Sequence, residues 1–328
     1  MIGEKEILWE EIEAPLLADM MRKIYSHTQT VIRGISFGCD VLKINVQYDN
    51  PDFKELLEEK FDLSDPYPGV PCLVFIRYKS VFGLKLPYEQ YGYVSDDRRS
   101  ALVFASSFGV FKSVISGYAS LCLEHLGHIP VHGSVFSVNH KGVVLTGGTL
   151  AGKTTTLLRL VNMAMRDDKE VKILTDDWAV ISESQCDYTA RTFDHSVSLR
   201  ERDLVENPNI RFRCHDDLVE VIRRRSKISM RPEDLYGASI GTDQIKLDVV
   251  ILLKPLPGTT DLKLIDATEF ADEVIDAAYH YPYISQSQIK AHKDFWLRAV
   301  TRLKVFAFAT RPIVGKFQDV DKIRRLLI

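Results

Sequence analysis

Gly147, Gly152, Lys153 and Thr154 stand in the spacing Gly-x4-Gly-Lys-Thr, inside the run Gly147-Gly148-Thr149-Leu150-Ala151-Gly152-Lys153-Thr154-Thr155. These residue types suit one chemistry, the cradling of a phosphate chain. Glycines let the backbone curl until successive N–H groups converge on an anion. A helix that begins there turns its positive end toward the same oxygens. Lys153 would add a mobile positive charge on the β- and γ-phosphates, and the Thr154 hydroxyl would ligate Mg²⁺. The flanks agree: Val143–Leu145 is a short apolar run suited to a buried strand, and Leu157, Leu158, Leu160 and Val161 share a helix face. An ordinary glycine turn is the plain alternative, and the match on both flanks weighs against it.

A second chemical signal is Asp176-Asp177, closing the apolar run Val171–Thr175. In open α/β sheets, ligands sit beyond the carboxyl ends of strands. One carboxylate there can hold Mg²⁺, directly or through water, and its neighbour can take the proton of an attacking hydroxyl. Two solvated turn aspartates would look the same in isolation. The phosphate loop upstream favours chemistry.

The elements that must position these groups are set by periodicity. Residues 9–26 carry Ile12, Leu16, Leu17, Met20, Met21 and Ile24 at helical spacing. Leu42, Ile44, Val46 and Tyr48 alternate as in a half-buried strand. A helix is expected over 53–60, strands over 72–78, 92–94 and 101–105, and a helix over 111–126. This gives an α+β portion, residues 1–126, with no catalytic constellation, read as a recognition or scaffold module. Its Tyr78, Phe82, Tyr88, Tyr91 and Tyr93 read as core packing.

From residue 127 the texture changes. Ile129–Val138 reads as a strand, His140-Lys141-Gly142 as a tight turn, and the loop strand comes next as its hairpin partner. Later come strands at 249–253, 262–265 and 305–309, and helices around 267–280, 286–300 and 317–327. The whole is an α/β chain of two domains, 1–126 and 127–328. Trp296 and the Tyr279–Tyr283 cluster fit core packing better than an acceptor-binding wall.

Composition bounds the rest. The 328 residues are 45% apolar and 27% charged, as in soluble globular proteins, with a formal charge of −3 that gives no general pull toward nucleic acid or acidic membranes. Five scattered cysteines without a C-x-x-C pair suit reduced thiols, and the residues after Met1 lack a basic-then-apolar leader. A cytoplasmic protein, without membrane or nucleic-acid partners, is expected.

Three motifs occur together, in the same order and at similar spacing, in one known family. His132-Gly133-Ser134-Val135, the loop Gly147–Thr154 and Leu174-Thr175-Asp176-Asp177 resemble the catalytic domain of HPr kinase/phosphorylase over residues 128–255. The resemblance implies a P-loop kinase domain of the type shared with phosphoenolpyruvate carboxykinase, using ATP and Mg²⁺ to phosphorylate a serine hydroxyl. It implies Lys153 on the phosphates and Thr154 on the metal. Asp176 and Asp177 would supply a general base and a metal contact, and His132 would tune the base. Glu201 would be a further metal ligand, giving Thr154, Asp177 and Glu201 as candidate ligands. The basic run Arg223–Lys227 with Arg231 stands where the family has a mobile loop that handles phosphate and partner. The family forms hexamers, though no residue here demands a homo-oligomer.

Two departures matter. Residues 1–126 do not resemble the family's own N-terminal domain, and its signature beyond the aspartates is missing. The chain therefore looks like a divergent relative whose hydroxyl acceptor is a protein, a peptide or a small molecule. A nucleotide-binding regulatory or assembly protein with little phosphotransfer is the alternative. A carboxykinase would need extra arginines and a metal-binding lysine/histidine pair that have no place here.

Overall fold

The computed structural model describes residues 8–27, 33–39, 41–48, 64–66, 68–77, 90–105, 111–148, 150–185, 187–192, 194–206, 221, 227–255, 261–278, 286–310 and 320–327. The helix expected over 53–60, the aromatics Tyr78, Phe82 and Tyr88, loop residue Thr149, Arg223–Ser226 and Tyr279–Tyr283 lie outside them. The chain divides into two compact units, Met1–His128 with Tyr281–Gln286, and Ile129–His280 with Ser287–Ile328.

The first unit is a six-stranded mixed sheet. Its strands are β1 (Leu8–Ile12), β2 (Arg33–Cys39), β3 (Leu42–Tyr48), β4 (Cys72–Arg77), β5 (Gln90–Ser95) and β6 (Ser100–Ala105), in the order β1-β5-β6-β4-β3-β2. Helix α1 (Ala14–His27) packs on β5 and β6, and α2 (Phe111–His125) on β3. Alternation in β3 buries Leu42, Ile44, Val46 and Tyr48, as their spacing predicts. One expectation is corrected: residues 9–12 belong to a strand, not to the helix. Leu8–Ile12 pairs in parallel with β5, and the helix starts at Ala14, whose N–H donates to Asp96 Oδ1 at 3.2 Å. The open edge of β5 overrides the local helical pattern. Cys39, Cys72 and Cys122 are free, and burial pushes the Cys72 thiol up to about 11.

The second unit is organised by β7 (Ile129–Val138), which makes a hairpin with β8 (Lys141–Thr146). Asn139 and His140 form its turn, both with positive φ, at 47° and 64°. That backbone suits the strand twist of a two-residue hairpin; Lys141 and Gly142, expected in the turn, already belong to β8. The remaining strands are β9 (Val171–Thr175), β10 (Trp178–Glu183), β11 (Tyr188–Thr192), β12 (Val197–Leu199), β13 (Ile228–Met230), β14 (Gln244–Pro255), β15 (Leu262–Leu264) and β16 (Lys304–Thr310). The main sheet runs β11-β10-β7-β8-β14-β16-β15, with β9 on β7 and a second pairing of β11 with β14. That pairing closes β7, β8, β14, β11 and β10 into a ring. Strands β10 to β13 have no counterpart in the sequence reading.

Pleat alternation gives this sheet two apolar faces. Phe136, Val138, Val143, Leu145, Val249 and Ile251 turn to one face, where α3 (Lys153–Arg166) buries Leu157, Leu158, Leu160 and Val161. Val135, Val144, Val250 and Leu252 turn to the other, with Phe270 of α6 (Ala267–Ala278) and Phe295 and Trp296 of α7 (Gln286–Ala299). The short helices α4 (Glu201–Glu206), α5 (Pro232–Tyr236) and α8 (Asp321–Leu327) complete the unit. This is a mixed α/β architecture. Among the described residues, no helix is long and apolar enough to cross a membrane.

Beside β14, the strand β8 comes very close at Gly142, where an added Cβ would lie 1.8 Å from the Lys246 carbonyl oxygen. The Gly142 N–H also donates to Asp248 Oδ2 at 2.8 Å. Gly142→Ala is expected to destabilise the second unit by roughly 2–3 kcal/mol through overpacking, read as a lowered urea midpoint; an unchanged midpoint refutes this strand register.

Candidate functional site

Strand β7 runs antiparallel to both β9 and β10, with Val135 opposite Thr175 and His132 opposite Trp178. Asp176 and Asp177 fill the gap between these pairs, so Asp176 stands across from Ser134 and Asp177 across from Gly133. A register shift precedes them: Phe136 pairs with Ile173 and Val135 with Thr175, leaving Leu174 as an extra residue. Such a bulge reverses the facing of the residues beyond it. It turns Asp176 onto the α3 face, where Ser134 also points. Consecutive residues of a regular strand face opposite ways, yet both acids line one cleft, because the chain leaves strand geometry at this pair.

The glycine loop joins β8 to α3. Gly147 has φ 152°, and a Cβ there would meet the Leu253 carbonyl oxygen at 2.6 Å. Gly152, with φ 91°, precedes the helix in the left-handed region. Leu150, at φ 66°, is the exception: a leucine in that region and 75% exposed. The Lys153 ammonium donates to the carbonyls of Gly147 at 2.8 Å and Gly148 at 3.2 Å.

The loop helix and the acids meet. Thr154 Oγ1 donates to Asp176 Oδ2 at 2.6 Å, Ser134 Oγ donates to Asp176 Oδ1 at 2.6 Å, and the Ser198 N–H approaches Asp176 Oδ2 at 3.3 Å. Beside them His132 Nε2 lies 3.4 Å from Asp177 Oδ1, both side chains largely covered. Burial pushes the Asp176 carboxyl up to about 6, against the hydroxyl donors and with help from the Asp177 charge. Burial likewise lowers the Lys153 ammonium to about 8, opposed by Asp176 and Asp177 and reinforced by Lys227.

Neither a family model nor a curated protein matches this chain. Its own geometry is therefore what speaks for the site.

His132, Leu150, Gly152, Lys153, Thr154, Thr155, Asp176 and Asp177 share the cleft. Two sequence assignments fall differently. Glu201, the first residue of α4, does not line the cleft, whereas Asp203 does. The Thr154 hydroxyl, expected to share a metal with Asp177, reaches Asp176 instead. Sequence reasoning gives no role to Ser134, Ser198, Arg200 or Asp203. Ser134 lies within a recognised motif, and its place two residues from His132 is the signal. The others carry none, since Thr155 Oγ1 meets Asp203 Oδ1, at 3.3 Å, across a long stretch of chain. Trp296 is fully buried, edge-on to Phe270 and Phe295.

No group of three or more His, Cys, Asp or Glu side chains able to hold a metal occurs among the described residues. Mg²⁺ does not need one, because it keeps several waters and binds through one or two carboxylates and substrate phosphates. The Thr154 hydroxyl and the Asp176 carboxylate are hard oxygen donors in contact, and they fit that ion.

The raised Asp176 contributes stability that is present below about 4 and lost as pH rises through about 6, because the folded protein holds the proton longer than the unfolded chain. Asp176→Asn is expected to flatten this fall, measured as unfolding midpoints across the window. Lys153 acts in the opposite sense, its contribution being lost as pH falls through about 8. An equally steep fall in Asp176→Asn would refute the assignment.

Proposed function

We propose that this chain is an ATP-dependent phosphotransferase whose second unit is a P-loop kinase domain of the HPr kinase/phosphorylase type. It passes the γ-phosphoryl group to a hydroxyl, serine foremost, of a protein, peptide or small-molecule acceptor. The observation that carries this reading is the 2.6 Å contact between Thr154 and Asp176, with Asp177 and His132 alongside. A glycine loop alone is a turn; a threonine of that loop in contact with the first of two paired acids supports phosphoryl transfer, in which such a hydroxyl and carboxylate share Mg²⁺.

The contacts suggest the roles. Lys153 binds the β- and γ-phosphates, exchanging the loop carbonyls for phosphate oxygens, while the backbone N–H groups of the loop and the start of α3 face the same charge. Thr154 and Asp176 would hold Mg²⁺, which supplies charge neutralisation on the phosphates. Both oxygens of Asp176 are engaged by hydroxyls, so the proton of the attacking hydroxyl falls to Asp177. His132, against Asp177 Oδ1, orients that carboxylate and steadies its charge. The new bond joins the acceptor oxygen to the γ-phosphorus, the bond to the β-phosphate oxygen breaks, and ADP leaves. A cytoplasmic setting, where ATP is abundant, suits this chemistry.

Labelled γ-phosphate transfer to serine peptides tests the reading. Asp177→Asn is expected to keep nucleotide affinity while transfer falls by about 10²–10⁴-fold, the usual worth of a positioned base. Asp176→Asn is expected to remove the Mg²⁺ dependence of nucleotide binding. Transfer by Asp177→Asn at the parent rate sinks the base assignment, and absence of ATP binding in the parent sinks the function.

A further inference from the structure

Three cationic side chains line the cleft, and the mechanism above uses only Lys153. Arg200 and Lys227 are the others. Neither side chain has a hydrogen-bond or ion-pair partner among the described residues. Lys227 is close enough to help hold the Lys153 ammonium below its usual range. The cleft thus holds two cations, Arg200 and Lys227, besides the Lys153 ammonium that Asp176 and Asp177 face.

Arg200 is also held with care. Its N–H donates to Asp203 Oδ2 at 2.9 Å, and its carbonyl accepts from the Asp203 N–H at 2.9 Å. The other oxygen of that carboxylate accepts from Thr155 Oγ1 at 3.3 Å. Two residues earlier, the Ser198 N–H is directed at Asp176. The segment 198–200 is therefore pinned at both ends by buried carboxylates, one tied to Thr154 and one to Thr155. Asp203 is 2% exposed, and its two oxygens accept from the Arg200 N–H and the Thr155 hydroxyl, while no ion pair to the Arg200 guanidinium occurs among the described residues. A half-buried guanidinium without a counter-ion is unfavourable in itself. Its fork of N–H donors matches the paired oxygens of a phosphate or carboxylate.

We infer that Arg200, assisted by Lys227, forms a second oxyanion subsite in the cleft, with Asp203 as its positioning residue. The ligand chemistry is a phosphate or carboxylate group. It belongs either to the outer phosphate of the nucleotide or to an anionic group that the acceptor carries near its hydroxyl. The inference rests on the proposed function only for what fills the glycine loop.

Calorimetric titration of the full chain separates these sources. Inorganic phosphate is titrated with and without a saturating non-hydrolysable MgATP analogue, and the analogue is titrated by itself. Arg200→Gln is expected to weaken at least one of these bindings about tenfold or more. Phosphate that binds beside the analogue, and is lost in Arg200→Gln, identifies the acceptor's anion as the ligand. A fall confined to the analogue identifies the nucleotide's outer phosphate. Asp203→Asn should reproduce the pattern in weaker form, and Arg200→Lys, which keeps charge but not the fork, should restore part of it. Thermal melts identify a variant that has failed to fold, in which case Arg200→Lys carries the comparison. Parent affinities in all three titrations for Arg200→Gln overturn the subsite. If the parent protein binds phosphate but not the analogue, the nucleotide reading fails, and the subsite stands where Arg200→Gln loses that phosphate and falls where it keeps it. If it binds neither, both fail.

Discussion

The carboxylate of Asp176 is the point on which the second unit turns. It is almost fully covered, and an isolated ionised carboxylate in such a place would be very costly. Its environment offsets that cost with the hydroxyls of Ser134 and Thr154, and the Ser198 N–H adds a longer approach. These three residues belong to β7, the start of α3 and β12. One buried charge therefore joins a strand, the loop helix and a distant strand pair. The compensation is incomplete, which is why the group stays protonated to about 6. Strained, partly compensated charge of this kind concentrates at functional sites.

The scaffold around that charge is apolar and stiff on both sides. The valines and leucines of β8 and β14 alternate between the α3 face and the α6–α7 face, so every residue of the loop strand from Val143 to Leu145 is locked by packing. The glycine loop then starts from a fixed point, with Gly147 against the Leu253 carbonyl and no room for a side chain between them. Side chains that must act together at a site are held best on such a stiff support.

Much of this is legible in the sequence, and the failures have physical causes. The loop and the paired acids stand out in the sequence by residue type and local spacing, and His132 through the resemblance; the fold brings all three to one cleft. Strands β3 and β7 and helices α2, α3, α6 and α7 can be read because each buries one face over several residues. Trp9–Ile12 misleads because the pairing that makes it a strand lies across the sheet at β5. The bulge at Leu174 leaves no mark in the sequence, yet it decides which way Asp176 faces. Glu201 and Asp203 are both acids in one short helix, and only the fold distinguishes the one that meets Thr155.

Strand β7 serves three partners, meeting β10 with its first half, β9 with its second, and β8 along the other edge. A one-residue slip would send Phe136 and Val138 out of their apolar layer, His132 out of the cleft and Ser134 away from Asp176. Errors of assembly and loss of chemical competence are thus the same event. A chain folded with this strand out of step would lose its apolar core and its cleft together, so a misfolded copy could not keep the site intact.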